Sequence, residues 1–338
     1  MLEVSAQQVR GLAGLQLLGG SSLEASLDND WDNVHERSEA LRRLLEEVQR
    51  LRGWLEQRLG SQLNEPPLEQ ALAQLERVIE QDLEPDPTGG GMRIRRGVAK
   101  DRQISLSDPD MRHGRKSKSR LINGYKRHIA KDLDSGLILA VDVRPANEPE
   151  REAMTELREA VSSYGEVVEL HIDRGYLAGK WTNDLYEAGR TVLAKSWTPR
   201  NGNRFPKTVF EIDLEQGQVR CPENKVAQIR GGRTARFDSA LCDACPSREL
   251  CTSAAPGRGR TITIHPQERM LLDLRNLTKT SAGRKKLRQR VSVEHSLAHI
   301  GYRQGQRARY KTTRKNVLDL RRVAAVENLL TIRRQMAA

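Results

Sequence analysis

Two acidic residues stand where carboxylates do chemistry. Asp173 follows the apolar run Glu166–Ile172 and precedes Arg174-Gly175-Tyr176. The carboxyl end of a strand in an open α/β sheet is where side chains converge on a ligand. An Asp at that place is also an ordinary turn former. Glu294 falls on a helical pattern over 284–300, in which Leu287, Val291, Leu297 and Ala298 define an apolar arc with Glu294 inside it. A carboxylate facing a core needs an ion-pair partner or a metal. Arg290, four residues earlier, is the local partner.

The cysteines form a third group. Cys221, Cys242, Cys245 and Cys251 are spaced C-x20-C-x2-C-x5-C, so all four cysteines of the chain fall within 31 residues. The C-x2-C pair has the bite of a tetrahedral thiolate site, and a structural Zn2+ with no open coordination position is expected. The two long gaps are not those of a standard finger. His171 and His295 read as packing or phosphate-contacting residues, because no Ser or Cys nucleophile sits at a recognisable elbow.

Charge points to the partner. The 338 residues carry 57 basic and 45 acidic side chains, a net +12. Residues 1–90 hold 8 basic and 17 acidic, a net of −9, while residues 91–338 hold 49 and 28, a net of +21. That asymmetry reads as a polyanion-binding body with an acidic appendage. The densest basic stretch is 284–322, with Arg284, Lys285, Lys286, Arg290, Arg303, Arg307, Arg309, Arg314 and Lys315. A second cluster over Arg112–Arg120 includes Arg115, Lys116 and Lys118. Basic residues mixed with Gly and Ser suit phosphate contacts without base readout. Tyr302 and Tyr310 read either as base-stacking or as buried packing residues. Charge alone does not separate DNA from RNA.

The elements that must position these groups follow from periodicity. Residues 34–59 and 67–83 are helical, and Glu84–Gly91, rich in Pro and Gly, reads as a linker, giving a domain boundary near residue 90. Tyr125–Lys131 and Leu137–Val143 form a hairpin around Asp132–Gly136, followed by a helix over 147–163, a strand at 166–172, a short helix ending near 189 and a strand at 191–194. This order predicts an α/β layer with a mixed sheet. A loop-rich, Cys-bearing stretch spans about 200–262, and helices are expected at 266–276, 281–300 and 314–334. No run approaches the ~18 apolar residues of a membrane span, no signal peptide opens the chain, and the sparse cysteines predict a cytoplasmic setting.

Several motifs then coincide. Ser107–Lys116 (Ser-Asp-Pro-Asp-Met-Arg-His-Gly-Arg-Lys), Gly124–His128, Pro145-Ala146-Asn147, His171–Tyr176 and Arg290–His295 resemble, in order over about 91–335, the insertion-sequence DDE transposases, in the branch with a Cys-rich insertion. The resemblance implies a ribonuclease H-like mixed sheet with flanking helices, an N-terminal helical unit and a small Cys-rich insertion. It implies three carboxylates holding two Mg2+ ions that activate water or a 3′-hydroxyl at a DNA phosphodiester. Asp173 maps to the second acidic residue and Glu294 to the third, with Arg290 orienting a carboxylate or contacting phosphate. Transposon ends and target DNA are the implied partners, with a further copy of the chain or a full-length transposase. Nothing before residue 34 reads as a strand, so the family's first Asp and its strand are expected to be missing, as in a truncated or split reading frame. Asp108 and Asp110 read as turn residues. The resemblance therefore leaves a non-catalytic DNA-binding remnant, or a zinc-dependent RNA-binding module, as alternatives to an active enzyme.

Overall fold

The computed structural model describes residues 5–18, 22–87, 89–115 and 121–337. The chain divides into two units, Met1–Gly124 and Tyr125–Ala338. In the first, the helical spacings become α1 (Ala6–Leu12), α2 (Leu23–Leu27), α3 (Val34–Leu59) and α4 (Leu68–Asp82). Leu17, Leu27 and Ala40 form a small core. Beside it the buried Glu47 of α3 accepts the backbone N–H groups of Gln16, Leu17 and Leu18 at 2.6–3.0 Å.

The expected linker is instead a hairpin. β1 (Leu83–Pro85) pairs antiparallel with β2 (Met92–Ile94), so the Pro- and Gly-rich residues between them make its turn. The division accordingly falls at Gly124/Tyr125, later than the change in composition near residue 90. β3 (Arg112–Arg115) pairs with the start of β4 (Leu121–Lys131).

The second unit opens on the rest of β4, paired antiparallel with β5 (Ile138–Pro145). Asp132 fixes the turn by accepting the Ser135 N–H at 2.8 Å. Then come α5 (Met154–Ser162), β6 (Glu169–His171), α6 (Lys180–Glu187) and β7 (Thr191–Leu193), with β6 and β7 parallel. Among the described residues no ladder joins the β3-β4-β5 set to the β6-β7 pair, so the expected single mixed sheet appears as two hydrogen-bonded sets. A shared core still unites them: Ala140 of β5, Leu157 of α5, Val192 of β7, Trp181 of α6 and Met270 pack together. Val143 faces the other way by plain alternation, and the bulge at Ala130/Lys131, which leaves Leu139 unpaired, turns Ile138 to that same face.

The Cys-bearing stretch is more regular than its sequence. β8 (Glu211–Asp213), β9 (Gln218–Arg220), β10 (Val226–Arg230), β11 (Thr234–Arg236) and β12 (Thr261–Thr263) form a five-stranded antiparallel sheet, with α7 (Ser239–Asp243) and α8 (Arg248–Cys251) between the last two strands. Phe210, Val219, Phe237 and Ile262 form its own core. Four helices close the chain: α9 (Glu268–Lys279), α10 (Ser281–Arg288), α11 (Val291–Gln304) and α12 (Thr313–Met336). α12 lies on β5, burying Ile138, Val143, Ile300, Leu320 and Ala324. The Asn328 side chain bonds both the N–H and the C=O of Ile138, at 2.8 and 2.9 Å. No helix among the described residues is long and apolar enough to cross a membrane.

Candidate active site

Asp173 is presented by the parallel pair. Register pairs His171 with Leu193, and the Ile172 N–H donates to Leu193 O at 3.0 Å, so the chain leaves the sheet directly at Asp173. The Tyr176 N–H closes a turn onto Asp173 O at 3.0 Å. Gly175 serves space rather than a left-handed backbone: a Cβ there would fall 1.7 Å from Oε2 and 3.2 Å from Cβ of Glu150. Tyr176 anchors the turn to β4, its hydroxyl 2.6 Å from His128 Nδ1 with the rings edge to face. Burial, reinforced by the charges of Lys126 and Arg144, pushes His128 down to about 4, while burial and the carboxylates of Glu150, Asp173 and Asp142 push Tyr176 up. Both rings stay uncharged at neutral pH. Sequence reasoning quoted these two residues only as motif members; that they pair is a tertiary fact, which no local pattern carries.

Glu294 is not in a core-facing arc. The expected helix over 281–300 is interrupted at Gln289-Arg290, so Leu287 belongs to α10 and the register restarts in α11. The inward stripe of α11 is Val293, Leu297, Ile300 and Gln304; Val291, Glu294 and Ala298 are exposed. Arg290, at the N-cap of α11, joins the two candidates: Nη1 lies 3.0 Å from Asp173 Oδ2 and Nη2 lies 2.6 Å from Glu294 Oε1. The carboxylate side chains are 59 % and 53 % exposed, so a ligand from solvent reaches both. Two carboxylate oxygens thus converge on one cation, the guanidinium, and oxygen donors of this kind are the ones hard divalent metals take.

The sequence model of the transposase DDE domain family matches residues 95–329, well over half of the chain. The chain belongs to that family. Membership makes it a transposase and implies DNA as its partner and divalent metal as its cofactor. No curated protein and no solved structure matches the chain.

The basic candidates of the DDE domain separate by partner. Lys286 is 3.2 Å from Glu169, which also bonds His171 Nε2 at 2.7 Å, so this lysine docks α10 on β6. Arg303 pairs with the buried Glu327, and Arg290 is held as above. Arg284 donates to Thr278 O and Lys279 O, and Arg309 to Gln304 O and Arg303 O, which fixes both forks beside helix ends. Lys285, Arg307, Arg314 and Lys315 are exposed and have no ion-pair partner among the described residues. Tyr302 is 91 % exposed, which excludes the buried role for it, and Tyr310 is exposed as well. Arg115 is exposed in the first unit, and Lys116 and Lys118 lie outside the described residues.

The four thiols line one small cavity with Phe210, Phe237 and Arg260. Cys221 Sγ accepts the Lys225 N–H at 3.3 Å and Cys242 Sγ the Arg260 N–H at 3.5 Å. Burial pushes the Cys251 thiol up, opposed by Arg260 and reinforced by the other three cysteines. Among the described residues no three Cys, His, Asp or Glu side chains are arranged as they stand to hold a metal, the cysteines included.

Proposed function

We propose that the chain cleaves and joins DNA at transposon ends, with Asp173 and Glu294 as metal-binding carboxylates on a ribonuclease H-like scaffold. The observation that carries this is the single guanidinium shared by two carboxylates 121 positions apart. The order hairpin, helix, parallel strand pair supports the scaffold. Bound Mg2+ supplies charge stabilisation and an activated oxygen nucleophile at the phosphodiester. Asp173 and Glu294 would hold the metal. Arg290 would then be released to neutralise phosphate charge, and Lys285, Arg307, Arg314 and Lys315 would hold the duplex by its backbone. The four thiols share one cavity, but no three of them are arranged as they stand to hold a metal, so a structural Zn2+ rests on their clustering alone.

The test is Mg2+-dependent nicking of DNA carrying the element's own ends. The wild-type chain is expected to nick, and Asp173→Asn and Glu294→Gln to lose nicking while still binding DNA; nicking by either variant overturns the assignment. A second reading, DNA binding without cleavage, is favoured by the absence of a three-carboxylate group among the described residues; a wild-type chain that binds but never nicks selects it.

A further inference from the structure

A second cavity, of about 230 Å³, lies between α11, α12 and the β4–β5 turn. Ser292, His295, Ser296 and His299 line it from α11. At about 100° per residue these four share one face, nearly opposite Arg290 and Glu294, so the cavity is separate from the candidate active site. Its cations are Lys131, at the end of β4, and Arg334 of α12. Lys131 Nζ donates to Ser292 O at 3.3 Å and Ser296 Oγ at 3.1 Å, and Arg334 Nε to Leu330 O at 3.1 Å. Neither has a carboxylate partner among the described residues. The one carboxylate on the wall, Glu327, is 4 % exposed and committed to Arg303 and, at 3.6 Å, to His299. Ser292 Oγ is buried and without a hydrogen-bond partner among the described residues. Burial and the charge of Arg334 together hold Lys131 below its usual range, as expected where two cations lack an anion.

We propose that this cavity binds a phosphate group through Lys131, Arg334 and the hydroxyl and imidazole groups of α11. Lys and Arg without a carboxylate partner suit an oxyanion with several acceptor oxygens, and the Ser292 hydroxyl is the uncommitted donor beside them, since Ser296 Oγ already donates to Ser292 O at 3.2 Å. The volume is below the ~300–1,000 Å³ of pockets for whole small molecules, so it suits one phosphate with little more than its sugar. That phosphate is either a link of a DNA backbone or free in solution. The DNA arm rests on the family's DNA partner, but not on Asp173 and Glu294 being catalytic.

The experiment uses the full chain, Lys131→Gln, Arg334→Gln and the double variant. Arg334 is exposed, so its single variant is informative even if Lys131→Gln unfolds. Binding of a 20-bp duplex is measured across a salt series, and melting is measured with and without inorganic phosphate and pyrophosphate. The expected result is a salt slope lower by about 0.9 for one lost phosphate contact, with phosphate raising the melting point of the wild type and not of the variants. A phosphate shift with an unchanged DNA slope supports the site and identifies the free anion as its ligand. An unchanged slope and no phosphate shift overturn the proposal. Asp173→Asn is run beside them: loss of nicking with the wild-type slope separates failure here from failure of the catalytic reading.

Discussion

Asp173 and Glu294, one at the end of a strand and the other in the first turns of a helix, are bound to opposite nitrogens of the same guanidinium. A planar fork is the side chain best shaped for two carboxylates at once. Arg290 thereby acts as a resident counter-ion for the pair, and a second cation arriving there meets its charge.

Arg290→Gln removes that competitor. We expect Mg2+ to bind roughly fivefold more tightly, the about 1 kcal/mol of a solvent-exposed charge pair near 4 Å, while nicking falls if Arg290 also meets the phosphate. Calorimetric titration of Mg2+ into both proteins measures this. Equal affinities would mean that the metal does not use the Asp173–Glu294 pair.

His128 makes stability depend on acidity. The folded side chain titrates at about 4 and the unfolded one near 6.5, so between these values the unfolded chain holds more protons. The contribution is full above pH 6.5 and is lost as pH falls through 6.5 toward 4, about 3 kcal/mol in all. Urea unfolding at pH 7, 5.5 and 4 should show this loss in the wild type and its reduction in His128→Asn. The same slope in both proteins would refute it.

Glu268, in the first turn of α9, is 1 % exposed and held by Lys207, by Arg275 Nη1 at 3.2 Å and by the His265 N–H at 2.9 Å. Burial pushes its carboxyl up, but Lys207, the His265 amide and Arg275 outweigh this and hold it below the usual range. Lys207 precedes β8, so the pair ties the five-stranded sheet to α9. Glu268→Ala leaves two cations without their anion and should cost about 3–5 kcal/mol, read from denaturant midpoints; a loss under 1 kcal/mol would mean the triad relaxes into solvent.

The thiol cavity is tested by metal content. Protein purified with Zn2+ present should carry about one Zn2+ per chain, released by a thiol-blocking reagent, and Cys245→Ser should lose most of it. Metal-free protein with four reactive thiols would make the cysteines packing residues of the insertion's core.

The strand before Asp173 was legible as an apolar run bounded by a polar turn, although only Glu169–His171 of the expected 166–172 pair as strand, and the β4–β5 hairpin because Asp132–Gly136 carries turn chemistry. The core-facing arc expected around Glu294 fails because it crosses Gln289-Arg290, where local pattern does not reveal that one helix stops and another starts. The Cys-bearing stretch read as loops because most of its strands are three residues long, too short for alternation to register. The Glu84–Gly91 turn looked like a linker because hairpin turns and linkers draw on the same residues. Arg290 was legible as the neighbour of Glu294, four residues away, but its second bond, to Asp173, is a tertiary fact.

Asn328 imitates, with one amide group, the hydrogen bonds that a neighbouring strand would offer Ile138. Outer strands are where β-layers recruit foreign chains and aggregate. At Ile138 the helix has taken that place, which blocks another molecule from adding a strand there. Asn328→Leu should therefore leave the helix packed but make the protein sticky at high concentration.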